Sequence, residues 1–228
     1  MATSRYSTSV SLCEDTSKNF ELFDLLKQAD PNYAAVDPAR IKLYVYDGTK
    51  YVETTSGYFT AVDKDTFTVD ASLLPNFNGE LKVRVLGTDS TGNSFILDIT
   101  IDVTPVNDAP VAPPVSASGA EDALVPVTLT ATDVDGSIAS FTVNGLPAHG
   151  TLYLDAARTQ PVTPGTPLPA GPDGRLTVYF QPDPDWNGDT RFPFAATDNT
   201  GTPSAPTEAT ITITPVNDAP VAPPVSAS

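Results

Sequence analysis

Apolar and polar residues alternate one by one over several short stretches of the chain, a pattern that indicates half-buried β-strands. In the clearest stretch every second residue from Phe95 to Val103 is apolar, and most residues between them are polar. The alternation returns from Glu208 to Ile213 near the end of the chain. Further strands are predicted at residues 81–86, 125–130, 138–143, 151–154, 176–180 and 191–195.

Turn signals separate these strands at short intervals, which favours a sandwich of two antiparallel sheets. The signals are the pairs Asp47-Gly48, Asn78-Gly79, Asn144-Gly145, Asp173-Gly174 and Asn187-Gly188. One segment departs from the β pattern: the apolar spacing within residues 20–29 allows a short helix. The predicted fold class is therefore all-β, with one short helical segment.

A duplicated segment sets the domain organisation. The sequence TPVNDAPVAPPVSAS occurs unchanged at 104–118 and at 214–228, a spacing of 110 residues that corresponds to one small domain. We predict a first module at 1–106, a linker at 107–110, a second module at 111–216, and at 217–228 the repeated linker with the first strand of a further module. The chain is thus expected to be part of a longer tandem array.

Four prolines in and around the linker restrict the backbone to extended conformations: Pro105, Pro110, Pro113 and Pro114. Residues 111–118 are predicted to be the first strand of the second module. The modules are also related inside their folds, since the segment 75–80 aligns with 184–189. Phe77 and Trp186 occupy matching positions there, and we expect both to plug a core where a strand begins.

The charge of the chain narrows the class of partner. The 228 residues carry 28 acidic and 12 basic side chains, a formal net charge of −16. Such a surface disfavours nucleic acid and anionic membranes and attracts cations. No apolar run reaches the roughly 20 residues of a membrane span, so no membrane insertion is expected. The single cysteine, Cys13, cannot form an internal disulfide.

Catalytic motifs are sparse, and we expect no enzyme. The only histidine, His149, lies in a turn-like context, and no serine has a nucleophile motif around it. Clusters of Cys or His that would bind zinc are missing from the sequence. Carboxylates suited to glycoside hydrolysis are present, but nothing in the sequence indicates the cleft that such a pair needs.

Three sequence features recur in one kind of repeat: the run Thr-Pro-Val-Asn-Asp-Ala-Pro-Val-Ala, the Glu-Asp pair a few residues later, and Thr-Asp-Val-Asp-Gly at 132–136. Together they resemble the cadherin-like tandem repeats of RTX-type bacterial surface adhesins. The resemblance covers the second module and the ends of the first, whereas residues 20–70 depart from it. It implies two Ig/cadherin-like Greek-key sandwiches, joined by a calcium-binding linker and exported to the bacterial cell surface by type I secretion.

The same residues are suitable calcium ligands, because calcium takes roughly six to eight oxygens from carboxylates, amides and carbonyls. The linker and two loops predicted at the same end of the second module supply Asn107, Asp108, Asp133, Asp135 and Asp198. The resemblance to cadherins adds Glu14, at the foot of the first strand. Asp and Asn are also common in turns, so each acid alone has a structural interpretation too. Their clustering around the repeated linker favours structural calcium.

Two half-sites are expected at the ends of the chain. One would face an upstream module and comprise Asp89, Asp30 and Asn32. The other would face a downstream module and comprise Glu121, Asn217 and Asp218. Asp15 and Asp122, beside the two glutamates, are second-rank candidates. The expected partners are calcium ions and neighbouring modules of the same polypeptide, and the expected state is a monomer.

The alternative function is an adhesive module that binds a cell-surface glycan or peptide. If Asp47-Gly48 is a two-residue hairpin turn, Tyr44 stands opposite Tyr51, and Tyr46 shares their face. A tyrosine pair across strands can also simply stabilise the sheet. The candidate ligand-binding residues are Tyr44, Tyr46, Tyr51 and Tyr58.

Overall fold

The computed structural model describes residues 3–31, 36–53, 59–61, 66–89 and 92–218. Within these ranges, residues 36–41, 60–61 and 89 are described by their backbone alone. The chain divides into two compact units, Met1–Val106 and Asn107–Ser228, which we call the first and second modules. Both modules are built almost entirely of β-strands. None of the described helices has the length and apolarity needed to cross a membrane.

The first module consists of two sheets and a short helix. Its elements are β1 (Ser4–Cys13), β2 (Ser17–Glu21), α1 (Leu22–Ala29), β3 (Val36–Tyr46), β4 (Tyr51–Glu53), β5 (Phe59–Ala61), β6 (Thr66–Asp70), a 3₁₀ turn (Ala71–Leu73), β7 (Gly79–Asp89) and β8 (Ser94–Thr104). A five-stranded sheet has the order β1-β8-β7-β3-β4, and a three-stranded sheet has the order β2-β6-β5. The helix expected within residues 20–29 is confirmed as α1.

The core of the first module follows the alternation read from the sequence. The five apolar residues at alternate positions of β8, which are Phe95, Leu97, Ile99, Ile101 and Val103, are at most 2% exposed. They share one cluster with Val83 and Val85 of β7 and with Leu26 of α1. Phe77 packs against this cluster, as predicted for a plug at the start of β7.

The second module is a sandwich of two sheets. Its strands are β9 (Val115–Ala120), β10 (Val125–Thr130), β11 (Ile138–Val143), β12 (Gly150–Tyr153), β13 (Pro167–Pro169), β14 (Arg175–Pro182), β15 (Gly188–Asp198) and β16 (Thr207–Thr214). The sheet β10-β14-β12 and the sheet β13-β11-β15-β16-β9 enclose one apolar cluster. Four phenylalanines form its largest fully buried part: Phe141, Phe180, Phe192 and Phe194.

The first strand of each module pairs in parallel with its last strand. In the first module β1 and β8 pair from Ser4↔Phe95 to Cys13↔Thr104. In the second, β9 and β16 pair from Val115↔Ala209 to Ala120↔Thr214. Because the two strands run parallel, the C-terminal end of the first strand lies beside the C-terminal end of the last strand.

Two details of the predicted strands are wrong. The first strand of the second module does not span 111–118 but begins at Val115. Pro113 and Pro114 lack the N–H that a ladder needs, and Val111 forms only an isolated bridge to Thr132.

The hairpin of β3 and β4 also has a longer loop than predicted. Tyr46, not Tyr44, stands opposite Tyr51, and Tyr44 stands opposite Glu53. The loop contains four residues, 47–50, because Asp47 accepts hydrogen bonds from the backbone N–H groups of Thr49 and Lys50. The shift of two residues leaves the tyrosines on the face that was predicted.

Candidate functional site

A buried glutamate follows the first strand of each module and makes the same contacts in both. Glu14 donates its backbone N–H to Thr104 O at 3.0 Å, and Glu121 donates to Thr214 O at 2.9 Å. The Oε1 of Glu14 accepts from the N–H of Val106 at 2.5 Å. The Oε1 of Glu121 accepts from the N–H of Val216 at 2.6 Å. Both glutamates therefore hold the segment that leaves the last strand of their own module.

The second carboxylate oxygen distinguishes the two glutamates. Oε2 of Glu121 accepts from Nδ2 of Asn187 at 3.2 Å. Oε2 of Glu14 is buried and has no hydrogen-bond partner among the described residues, although Glu14 is only 2% exposed. A buried carboxylate oxygen without a donor is costly. Such an oxygen is suited to receive a cation.

Three carboxylates gather next to Glu121. One oxygen from each of Asp122, Asp185 and Asp218 lies within 4.8 Å of the others, and all three residues are exposed. The negative charge of Asp185, together with partial burial and the charges of Glu121 and Asp122, raises the pKa of Asp218. Like charges at this spacing repel one another, and a divalent cation would reverse that term.

The structure brings Asp218 of the expected half-site close to Asp122, a second-rank candidate, and it adds Asp185, which the sequence analysis missed. Asp185 lies in the segment that repeats 75–80 of the first module, and its backbone is left-handed, with φ of 58°. Asn76, its counterpart, has φ of 59°. The φ angles are visible only in the structure, so the alignment of Asp185 with Asn76 was the signal that the sequence offered. The remaining predicted member, Asn217, is exposed and donates Nδ2 to the carbonyl of Asp218 at 3.2 Å.

The other end of the second module gathers the linker residues and two loops. Asn107 donates Nδ2 to Asp198 Oδ2 at 2.8 Å and to Thr202 Oγ1 at 3.1 Å. Its Oδ1 accepts from Thr200 Oγ1 at 3.0 Å. The N–H of Asp108 is 3.2 Å from Asp135 Oδ2. Asn107, Asp108, Asp135 and Asp198 are therefore close neighbours, as the sequence predicted.

Asp198, at the end of β15, is 2% exposed and is surrounded by donors. Burial opposes its ionisation, but hydrogen bonds from Asn107, Thr202 and Thr200 outweigh burial and lower the pKa of Asp198 to about 2. Asp198 is therefore a permanent carboxylate whose oxygens already accept several hydrogen bonds. These hydrogen bonds fix the linker residue Asn107 against the loop that follows β15.

Asp133 presents a different arrangement in the loop after β10. Its Oδ1 accepts from the N–H of Asp135 at 3.2 Å and of Gly136 at 3.0 Å. Its Oδ2 is buried and has no hydrogen-bond partner among the described residues. Gly136 keeps the loop tight, because a Cβ there would lie 2.6 Å from Asn199 Oδ1 and 3.1 Å from Asp133 Oδ2.

The remaining predicted ligands are less informative. Asp30 ends α1, with its N–H bonded to Leu26 O. Asp89 is the last residue of β7, and Asn32 lies outside the described residues. Asp15 is left-handed, with φ of 59°, like Asp122 at 62°. Because Asn32 and the side chain of Asp89 lie outside the part of the chain that the structure describes, the upstream half-site stays a prediction.

The tyrosines of the alternative function lie on the outer face of the first module. Tyr44 and Tyr46 alternate with Leu43 and Val45, which pack against the core. Tyr46 is 39% exposed, and its ring lies 5.3 Å from that of Tyr51. Tyr58 lies outside the described residues.

His149 and Trp186 stack at the end of the second module that carries Glu121. Their ring centroids are 4.9 Å apart, and the planes of the two rings are nearly parallel. Trp186 is partly buried against the core, as predicted, and His149 has a left-handed backbone with φ of 59°. The single histidine is thus a turn residue that packs on an aromatic ring.

The donor set fits calcium. The trio at Asp122, Asp185 and Asp218 consists of hard oxygen ligands, which calcium prefers. The buried free oxygens of Glu14 and Asp133 are also oxygen donors. These groups lie at the ends of their modules, where the sequence analysis placed the copies of the repeated linker segment.

The solved structures that the chain resembles include cadherin, adhesin and fibronectin-like modules. Mouse cadherin-23 repeats EC22–24 match at 18% identity and TM-score 0.40, over 92% of this chain and 62% of that one. The sialic acid binding region of a Streptococcus sanguinis adhesin matches at 12% and 0.34, over 94% and 77%. The fibronectin(III)-like modules of Clostridium thermocellum CbhA match at 13% and 0.29, over 94% and 90%.

Sequence comparison is more specific for the second module. No curated protein matches the chain. The family model described as the bacterial Ig domain matches residues 107–214, which is nearly the whole described part of the second module. The chain is an all-β protein of two modules, and its second module is a sandwich similar to the bacterial Ig domain family.

Proposed function

We propose that the chain is a structural extender of a large bacterial surface adhesin, whose modules are joined rigidly by calcium bound at their ends. The observation that carries the proposal is the trio Asp122, Asp185 and Asp218 beside the buried Glu121. Three exposed carboxylates this close together are unfavourable without a cation. The proposal assigns no reaction to the chain.

At this end of the second module, the aspartates and the glutamate would have different roles. Asp122, Asp185 and Asp218 would supply oxygens to the ion, and Glu121 would hold the exit segment in place through Val216. Calcium would neutralise the trio and would stabilise the folded state, because it binds only the native arrangement. The proposed ligands all belong to the second module.

A second ligand group is proposed at the linker between the modules. It comprises Asn107, Asp108, Asp133, Asp135 and Asp198 of the second module and, by the resemblance to cadherins, Glu14 of the first. The free oxygens of Asp133 and Glu14 support their inclusion. Asp198 and Asn107 already bond to each other, so we propose that they position the linker for the ion.

The setting proposed for the protein is the bacterial cell surface. Similarity of the second module to the bacterial Ig domain supports an extracellular location. The resemblance to RTX-type repeats adds type I secretion and a role in cell adhesion and biofilm formation. The linker sequence is duplicated at a spacing of one module, which supports the role of a spacer built of tandem modules.

Terbium luminescence tests the metal site directly. Tb³⁺ binds calcium sites and emits when a nearby tryptophan transfers energy to it, and Trp186 is the only tryptophan and neighbours Asp185. We expect terbium emission excited through Trp186, which calcium displaces. The double variant Asp185→Asn/Asp218→Asn should lose it, whereas Asp183→Asn, an exposed acid of the same loop outside the trio, should retain it.

The opposite results would reject the assignment. If terbium emission is missing in the unchanged protein, or survives in the double variant, the trio is not a cation site. Circular dichroism of each variant in EDTA shows whether the fold is intact, so loss of binding can be separated from unfolding.

A further inference from the structure

One face of the five-stranded sheet of the first module carries tyrosines that take no part in the proposed calcium sites. We call it the tyrosine face and define it by Tyr44 and Tyr46 of β3, Tyr51 of β4 and Arg84 of β7. Tyr46 stands opposite Tyr51, and Tyr44 stands opposite Arg84, so the four side chains occupy adjacent positions on three neighbouring strands. The residues between them, Leu43 and Val45, face the core.

The guanidinium group of Arg84 holds the ring of Tyr51 in place. Cζ of Arg84 lies 3.9 Å from the centroid of the Tyr51 ring. Arg84 is fixed on its other side by Asp98, to which Nε and Nη2 donate at 2.6 and 3.0 Å. The guanidinium plane, held at two points, cannot turn freely. Tyr51 therefore rests on a rigid support and presents its ring beside the exposed ring of Tyr46.

The charges of the face cancel. Arg84 pairs with Asp98, and Lys42 pairs with Glu53 at 3.2 Å. On a chain whose formal net charge is −16, this face thus combines aromatic rings with balanced ion pairs. It offers hydrogen-bond donors and acceptors together with ring surface, but no surplus charge to attract an ion.

We propose that the tyrosine face binds a neutral polysaccharide. Sugar rings place their C–H groups against aromatic rings, while their hydroxyls donate to carboxylates and accept from Lys and Arg. The balanced charges disfavour a sulfated or uronic acid chain, because the rest of the protein repels anions. The outer face of a sheet contacts only one side of a ligand, which suits an extended polymer better than a small molecule.

The test uses oligosaccharides of equal length. The full chain, kept in EDTA, is titrated with cellohexaose, xylohexaose, mannohexaose and laminarihexaose, with hexagalacturonate as the acidic probe. We expect binding of at least one neutral hexamer and none of hexagalacturonate. Tyr46→Ala and Tyr51→Ala should each weaken binding roughly two- to tenfold, as the loss of one aromatic contact predicts.

Matched variants separate binding from folding. Tyr46→Phe and Tyr51→Phe keep the ring and should retain most of the affinity. Arg84→Lys keeps the charge but loses the planar, two-point contact with Asp98 and should weaken binding. Tyr179→Ala in the second module, where Tyr179 stands opposite Tyr153, should leave binding unchanged.

Several outcomes would overturn the proposal. They are no binding of any neutral hexamer, equal binding of hexagalacturonate, or equal loss in Tyr179→Ala. Capture of peptides on an array, with neutral glycans inert, would also reject it. Because all titrations are made in EDTA, the result is independent of the calcium sites, and either proposal can fail alone.

Discussion

The side chain of Glu121 reaches across the end of its module and accepts the N–H of Val216 at 2.6 Å, two residues beyond the last strand. Glu14 and Val106 repeat this contact in the first module at 2.5 Å. Each copy of the repeated linker sequence thus begins with a contact to a glutamate of the module that precedes it. Glu121 also lies near the proposed ligands Asp185 and Asp218 of its own module.

Removal of the Glu121 anchor should destabilise the second module even without calcium. Glu121→Ala leaves the N–H of Val216 and the amide of Asn187 without their acceptor. We expect the free energy of unfolding to fall by about 1–3 kcal/mol, as for a lost partner of a buried polar group. Urea denaturation in EDTA measures it.

Glu208→Ala is the control for that prediction. Glu208 forms a solvent-exposed ion pair with Arg191, so its loss should change the free energy of unfolding by less than about 1 kcal/mol. Equal effects of the two substitutions would contradict the anchoring role of Glu121.

Calcium should raise the melting temperature, and Asp133→Asn/Asp135→Asn should reduce this rise. The stabilisation by a bound ion grows with its concentration and is about 2.7 kcal/mol at a hundredfold excess over the dissociation constant. An Asn at 133 can still accept the loop N–H groups, so the EDTA melts of variant and parent should agree. Calorimetry with calcium and with EDTA checks both statements.

The same pair of solutions is suitable for small-angle scattering. We expect the scattering profile of the parent to change when EDTA removes calcium, because the ion would limit motion between modules. If neither the scattering profile nor the melting curve changes with calcium, the acidic loops are ordinary turns that bind no calcium.

Gly136→Ala should disturb the Asp133 loop. The new Cβ would lie 2.6 Å from Asn199 Oδ1, which accepts the N–H of Ser137. We expect a loss of about 1–3 kcal/mol from overpacking and a weaker response to calcium. Adding Asn199→Ala removes the clash and should recover part of the stability. No recovery would show that the clash is not the cause.

Acid should loosen the β3–β4 hairpin between about pH 4 and pH 2. Hydrogen bonds from the Thr49 side chain and the Lys50 and Thr49 backbone lower the pKa of Asp47 to about 2. The folded-state pKa lies below the unfolded value, so this contribution is present at neutral pH and is lost as the pH falls through about 2. NMR signals of the Thr49 and Lys50 amides follow it.

Asp47→Asn provides the comparison for the acid titration. The amide oxygen can still accept the loop N–H groups but does not titrate in this range, so the amide shifts of the variant should stay flat. Parallel titration curves for variant and parent would assign the acid effect to another group.

His149→Asn should expose Trp186. Asn tolerates the left-handed backbone of position 149 but has no ring to stack at 4.9 Å from the indole. We expect a red shift of the tryptophan emission and a loss of about 0.5–1.5 kcal/mol, the range for an aromatic pair. Unchanged emission would mean that the stack does not shield the indole.

The strands were predictable because burial follows local alternation. Residues Phe95 to Val103 show this best, because the five apolar side chains at alternate positions of this strand are all buried. The hairpin register was not predictable from Asp47-Gly48, because the Asp47 side chain closes a four-residue loop in place of the two-residue turn. Side-chain acceptors of this kind do not alter the hydrophobic pattern.

The site was only partly visible in the sequence. Asp218 lies in the repeated segment and Asp122 in the Glu-Asp pair that follows its first copy, so both were identified there, whereas Asp185 is one acid in a loop with several. Its place beside the other two depends on contacts between residues distant in the chain. The hydrogen bond from Asn107 to Asp198 is equally non-local, whereas the bonds that Thr200 and Thr202 donate to Asp198 are local.

The parallel pairing of first and last strands has a mechanical consequence. When the two ends of a module are pulled apart, the load runs along those strands in opposite directions. Their hydrogen bonds then resist together in shear, whereas the bonds of a hairpin open one at a time. The pairing extends over ten residue pairs in the first module and six in the second. Under tension the second module is therefore expected to yield first, leaving the first as the stronger link.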